Sequence, residues 1–443
     1  MHNWARGLHA PNRASSHVLT MCVIYKRSTE AMDDLSSTPP FLPPSAAKMV
    51  SSRSFRFVGV LFLSLAGLVS STPKPRCRAL PGDAAWPSQA QWNAFKTSVG
   101  GNLISTVPLA SVCHNTGSSK YDAKKCAALK ENWFDSYTHI KSSSSIMAPY
   151  FTNQSCDPFA PKDAKCVVGS YVKYAVKATC PSHFQKTLAF ATKHNLRLVI
   201  RNTGHDYHGK STGAGALALW TAHLKDIKVL RNYRSKVYNG PAIKMAAGVL
   251  VEEANEAAQK AGLVLVTGNC PTVGVVGGYT QGGGHGPLSS AYGLSADNVL
   301  EWEVVTGTGK ILTATPAKNT DLYWALSGGG GGTYGAVLSV TIRAHPDKRT
   351  SAAKLEFAMK GISQDLFFQG VGAFIANLPP LVDRGVFAIW LLTAGSFSMH
   401  PATAPGLSKS QLDALMKPLL KKLKALGIKY SKPFPTPTTA RRN

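Results

Sequence analysis

Apolar and polar positions change rhythm several times along the chain. A single long apolar run stands near the start, Phe57–Val69, too short for a membrane-spanning helix of about 20 residues. Between residues 72 and 168 the pattern is loop-like, with one helical stretch expected over Tyr121–Trp133. Regular periodicity begins after Val168. Ser182–His194 places Leu188, Phe190 and Ala191 at helical spacing, Asn195 marks the helix end, and Leu196–Ile200 alternates as a strand. Strands are expected at Ile243–Ala247, Leu263–Val266 and Ala336–Arg343. Helices are expected at Val251–Ala261, closed by Gly262, and at Asn319–Leu326. Leu300–Thr306 and Lys310–Leu312 flank a Gly307-Thr308-Gly309 hairpin turn. Elements of both types mix without strict alternation, which predicts an α+β fold. Beyond Pro346 the pattern loses definition until Ser410–Leu426, where Leu412, Leu415, Met416, Leu419, Leu423 and Leu426 share a helical face opposite lysines. Pro418 inside that stretch should kink or split it.

The flanks of the apolar run change its meaning. Met49 opens a basic lead-in with Arg53 and Arg56, and Ser70, Ser71 and Thr72 follow the run. A basic start, a short apolar core and a small-residue exit make a secretory signal peptide at 49–71 and no lasting membrane anchor. Residues 1–48 then form a non-native or disordered extension, and the protein is expected to be secreted. Eight cysteines fit an oxidising destination, and no CxxC pair offers a zinc site. Cys22 lies before Met49. Short spacing suggests Cys113–Cys126 and Cys156–Cys166 as disulfides, and Asn153-Gln154-Ser155 is a glycosylation sequon.

The chain carries 49 Lys and Arg against 23 Asp and Glu, a formal charge of +26. Such a balance raises nucleic acid, anionic membrane or acidic substrates as partners. The basic residues are scattered, however, and no nucleic-acid motif accompanies them, so no nucleic-acid partner is expected. The amphipathic helix near Ser410 could lie on a membrane, but the commoner use of such a helix is to cover a sheet.

Three glycine-dense stretches hold the candidate chemistry: Arg201–Ser211 (RNTGHDYHGKS), Gly268–Gly286 (GNCPTVGVVGGYTQGGGHG) and Gly328–Gly335 (GGGGGTYG). Bare backbone at such loops can approach a flat or anionic ligand. Gly330–Gly335 matches GxGxxG formally. A helix precedes it and a strand follows, the reverse of the dinucleotide-binding context, so that assignment fails.

These stretches, in this order and together with SADNVLEWEVVTGTGK and DLYWALSGGGGGTYGAV, resemble the berberine-bridge-enzyme-like flavin oxidases. That family belongs to the vanillyl-alcohol-oxidase (VAO) superfamily and has the cresol-methylhydroxylase type of FAD-binding domain. The similarity spans roughly 77–430 and is strongest over 169–347. It implies a cysteine-containing N-terminal segment at 72–168, a two-subdomain FAD-binding domain at 169–347 and a partial α/β substrate domain at 348–443. It implies FAD held by two covalent bonds, from His205 to the flavin 8α position and from Cys270 to flavin C6. Setting Cys270 aside leaves six cysteines after the signal peptide, an even number; the alternative role for Cys270 is a disulfide. Arg201, Gly204, Gly274, Gly277, Gly278, Gly282, Gly283 and Gly284 would wrap the diphosphate and flavin. Asp297, Asn298 and Val304 would lie against the cofactor, and Val273 would govern oxygen access. Tyr207, His208 and His285 are further contacts or packing residues. The implied reaction oxidises a sugar, alcohol or aromatic secondary-metabolite intermediate and reduces O2 to H2O2. Family members continue into an Asn-Tyr-rich block, and the base is expected in that later segment, so no catalytic base is assigned here. The competing reading is a flavin-binding fragment without turnover. No oligomeric state is assigned.

Overall fold

The computed structural model describes residues 77–116 and 120–431. The expected extension and signal peptide lie outside these residues, as does Cys22. From Arg78 onward the described chain belongs to one compact unit, with helices and sheets mixed as an α+β fold.

The first sheet contains β1 (Leu103–Ser105), β2 (Tyr174–Lys177), β3 (Leu198–Arg201) and β4 (Leu217–Trp220), in the order β1-β2-β4-β3. β2 and β3 both run parallel to β4, and β1 is antiparallel to β2. The helix Pro181–Lys193 connects β2 to β3. Proline suits its first turn, where an N–H has no intrahelical partner, and Asn195 closes it in the left-handed region at φ 49°. Phe184, Leu188 and Ala191 are buried under it. The helix Gln89–Ser98 docks nearby, with Trp92 packed against Tyr174 and Phe190. β3 ends at Arg201 and so launches the first glycine loop.

The second sheet is antiparallel throughout. Its strands are β5 (Ile227–Arg234), β6 (Asn239–Ala246), β8 (Val299–Val305), β9 (Ile311–Ala314) and β10 (Ala336–Arg343), in the order β5-β6-β10-β8-β9. The short β7 (Leu263–Val264) pairs separately with β11 (His345–Pro346). Ile243, Met245, Trp302, Val340 and Ile342 form its core with Val251, Ala254 and Ala258 of the helix Val251–Lys260. The expected hairpin is present, with Val305 paired to Ile311.

The third sheet contains β12 (Thr350–Ala358), β13 (Phe387–Leu392), β14 (Ser396–Pro405) and β15 (Tyr430–Ser431), in the order β13-β14-β12-β15. Phe357, Phe397 and Met399 pack with Phe367 and Phe374 of the helix Gln364–Ala376 and with Leu412, Met416, Leu419 and Leu423 of the helix Lys409–Ala425. The latter helix is not split at Pro418, through which it continues. Burial of Met416 and Leu419 on either side of the proline, and a Ser408/Gln411 capping box at the start, hold the helix together despite the missing N–H. Its apolar face is used against the sheet. By length and composition Gln364–Val382 could cross a membrane. Here it is two helices, ending at Ala376 and resuming at Leu378, and it contributes Phe367, Val371, Phe374 and Leu381 to this core.

Both expected disulfides form, Cys113–Cys126 and Cys156–Cys166. Even pairing of the six remaining cysteines does not hold: Cys180, at the start of the helix Pro181–Lys193, forms no disulfide. Its backbone position is fixed by that helix and by β2 rather than by a bridge.

Candidate functional site

The three glycine stretches, separated by more than 120 residues end to end, meet in space. The first is shaped by Asp206, whose carboxylate accepts from the backbone N–H groups of Lys210 (2.7 Å), Ser211 (3.1 Å) and His208 (3.2 Å). The Asn202 side chain donates to the Ala247 carbonyl and lies beneath the turn 274–277. A Cβ at Gly277 would stand 3.0 Å from Asn202 Cγ, so glycine there lets the amide sit under the turn. Gly274 N–H donates to Thr203 Oγ1 at 3.4 Å. At Gly204, φ is +83° and a Cβ would stand 3.3 Å from Arg201 Nη2, so the loop needs glycine on both counts.

Gln281 fastens the second stretch to the third. Its carbonyl accepts from Gly328 N–H (3.0 Å) and Gly330 N–H (2.8 Å), and its Oε1 accepts from Gly332 N–H (3.4 Å). Lys210 Nζ reaches Thr333 Oγ1 at 2.9 Å and ties the first stretch to the third. Backbone meets backbone at Gly278 and Gly331, where a Cβ on Gly331 would be 2.9 Å from Gly278 Cα. Gly278 and Gly282 are exposed, and Gly278 has open space where a side chain would be. Gly283 and Gly284 turn the chain away, their carbonyls accepting from Ala296 and Ser295 N–H.

His205 and Cys270 come together at one residue. His205 Nε2 lies 2.8 Å from Thr272 Oγ1, and Cys270 Sγ lies 3.5 Å from the same oxygen. Burial, then the neighbouring His139, push the His205 pKa down to about 4, so its imidazole is neutral at neutral pH. His139 is itself buried, with its ring between Ser145 Oγ (2.8 Å) and the Trp133 carbonyl (2.6 Å), and burial lowers its pKa too. Arg201 is 0% exposed and donates through Nη2 to the carbonyls of His139 and Ser145. Burial brings its pKa down to about 9, which leaves it cationic at neutral pH.

The other expected site residues have these contacts. Asp297 Oδ2 accepts from Leu294 N–H at 2.7 Å, and Asn298 donates to the carbonyls of Tyr292 and Leu294 and pairs with His345 Nε2 at 2.9 Å. His345 stacks on Tyr292. Val304 is fully buried in the core of the second sheet, and Val273 packs half-buried against that core. Tyr207, His208 and His285 are exposed. Asn202, Thr272, Gln281 and His139 were not singled out in the sequence. Gln281 carried the best signal, being an amide side chain inside a run of glycines. His139 had none, because its role depends on a contact 62 residues away.

The arrangement fits FAD. Its floor is bare backbone, and Asn202 Oδ1 and Arg201 Nε and Nη1 are buried without hydrogen-bond partners among the described residues. A cationic donor with unused N–H groups beside glycine turns suits a large anionic cofactor. The FAD-binding domain family matches residues 172–315, which include the first two glycine stretches. FAD-linked oxidoreductase sor8 of Hypocrea jecorina is 53% identical over 366 residues, covering 83% of this chain and 63% of its own. FAD-linked oxidoreductase sthB of Phaeosphaeria nodorum is 50% identical over 287 residues, covering 65% of this chain and 91% of its own. The crystal structure of the VAO-type flavoprotein MtVAO615 from Myceliophthora thermophila superposes with a TM-score of 0.78 at 47% identity, over 81% of this chain and 65% of that one. The chain belongs to the VAO-type FAD-linked oxidoreductases. It spans less than two thirds of the length of relatives such as sor8.

Proposed function

We infer that the protein is a secreted flavin oxidase that oxidises a sugar, alcohol or aromatic secondary-metabolite intermediate and reduces dioxygen to hydrogen peroxide. The observation that carries this reading is the meeting of three glycine loops, the first two at His205, Thr272 and Cys270 and the third against both through Gln281 and Lys210. Bound there, FAD would take a hydride from the substrate and return the electrons to dioxygen. The protein's part is to hold and surround that group. Open space at Gly278 leaves room for a flat ring, and Arg201 supplies buried positive charge. His205, neutral because it is buried, has the lone pair that a bond to the flavin 8α carbon requires. Cys270 would supply the second bond at C6. Both bonds would fix the ring against its loops. Val273 lies one residue beyond Thr272 and would set the width of the oxygen path.

The test reduces the FAD-loaded protein with dithionite and follows its reoxidation in air by stopped flow, beside a peroxide assay on a panel of sugars, alcohols and phenols. Rapid reoxidation, slowed by Val273→Leu at unchanged flavin content, supports an oxidase. Reoxidation that is slow in both proteins, with no peroxide from any substrate, removes this reading.

A further inference from the structure

The contact between His205 and Cys270 passes through one hydroxyl, and that residue has no assigned role. Thr272 is 1% exposed, and its oxygen lies within reach of both His205 Nε2 and Cys270 Sγ. Its backbone cannot swing freely. The carbonyl of Pro271 accepts from Glu252 N–H (3.1 Å) and that of Val273 from Val251 N–H (2.9 Å), so the first turn of the helix Val251–Lys260 grips the peptide on both sides of Thr272. The His205 side is held equally firmly. Met147 N–H donates to the Gly204 carbonyl at 3.1 Å, and Asp206 collects three loop N–H groups. Two rigid backbones therefore face each other across a single side-chain oxygen.

A threonine hydroxyl has one hydrogen to donate and lone pairs to accept. A thiolate sulfur can only accept. The hydrogen-bond order that satisfies all three groups runs from His205 Nε2–H to Thr272 Oγ1, and from Thr272 O–H to Cys270 Sγ. That order places the imidazole proton on Nε2 and leaves the lone pair on Nδ1. It also stabilises negative charge on the sulfur.

We propose that Thr272 is the positioning residue for flavin attachment, its hydroxyl fixing the tautomer and orientation of His205 and the charge of Cys270 so that both face one flavin. The proposal rests on the covalent reading above. Each attachment replaces a flavin C–H and a protein N–H or S–H by a C–N or C–S bond. The two hydrogens, with their two electrons, leave to dioxygen as hydrogen peroxide. Thr272 is consumed in neither step.

The experiment adds FAD in air to apoprotein of the full chain, reduced beforehand so that Cys270 is a thiol. It compares wild type, Thr272→Ser, Thr272→Val and Thr272→Ala. Aliquots are denatured at intervals, and flavin on the His205 and Cys270 peptides is quantified by mass spectrometry. Reversible FAD binding is measured separately by fluorescence quenching. The proposal expects Thr272→Val and Thr272→Ala to attach flavin at His205 at least tenfold more slowly, with FAD binding within threefold of wild type, and Thr272→Ser to restore most of the rate. Should Thr272→Val fail to fold, Thr272→Ala against Thr272→Ser decides the matter. Attachment at the wild-type rate in Thr272→Val or Thr272→Ala overturns the proposal and leaves the covalent reading intact. So does a loss of FAD binding that Thr272→Ser shares with them, which is the mark of a merely structural residue. A wild-type protein that attaches no flavin at either peptide overturns the covalent reading and the proposal with it.

Discussion

The glycine loops and the third sheet are built on opposite principles. The third sheet is held by apolar volume: Phe357, Phe367, Phe374, Phe397 and Met399 are buried with four residues of the helix Lys409–Ala425. Its stability is spread over many contacts, and no single polar group decides its shape. The glycine loops bury few apolar side chains, chiefly Val275 and Val276. Their shape comes from a few directed hydrogen bonds at Asn202, Asp206 and Gln281, and from places where a Cβ would not fit. One region should therefore lose stability when volume is removed, and the other should lose ligand binding when a methyl group is added.

The largest effect is expected in the sheet. Phe374 is 0% exposed in its core, so Phe374→Ala should cost about 3–5 kcal/mol. Denaturant unfolding should show the loss, while flavin bound per folded molecule stays at the wild-type value. A loss of flavin without a loss of stability would erase the division between the regions.

Acid should act on the loops. The folded pKa of His205, about 4, lies below the unfolded value of roughly 6.5, so between those values the unfolded chain binds the extra proton. Stability of the flavin-free chain should be level above about pH 6.5 and fall by roughly 3 kcal/mol as pH drops to 4. His139, lowered by its burial, adds in the same direction. Urea midpoints measured across this range should flatten in His205→Gln. An unchanged slope would place the acid sensitivity elsewhere.

A smaller effect is expected where backbone meets backbone. Gly331→Ala puts a methyl 2.9 Å from Gly278 Cα, and no flexible side chain is there to give way. FAD binding should weaken at least tenfold, or about 1.4 kcal/mol, with little change in the unfolding midpoint. Binding at wild-type strength would show that the cofactor does not touch this junction. The smallest change returns to the sheet. Pro418→Ala supplies the missing N–H within a helix that is already continuous, and should raise stability by about 1 kcal/mol. A fall would mean that the proline ring packs usefully.

The same contrast explains what could be read from the sequence. Elements with strong periodicity were legible: the expected strand Ala336–Arg343 has those bounds in the structure, and the helix expected over Ser182–His194 runs Pro181–Lys193. β12 and β14 were not legible. Buried positions alternate in β12, and in β14 only as far as Met399, but Ala352, Ala353, Ser398, Ala402 and Ala404 are too small to mark a pattern in the sequence. β13 hid for another reason, because its FAIWLL is apolar on both faces and leaves Leu391 and Leu392 exposed at the sheet edge. At the site, the glycine stretches announced themselves by composition, and His205 and Cys270 by their place in the motifs. Asn202 and His139 did not, since each acts on chain remote in sequence, at Ala247 and at Arg201. Asp297 and Asn298 lie in a matching motif, yet their side chains are occupied in holding the turn 292–298.

The account stands on flavin being bound covalently where the loops meet. Its most direct test is to load the full chain with FAD after reducing Cys270, precipitate it in acid, digest it, and map the flavin. The account predicts a yellow precipitate, with flavin mass on peptides containing His205 and Cys270, and with one attachment remaining in His205→Ala or in Cys270→Ala. A colourless precipitate, with all the flavin free in the supernatant, would contradict it.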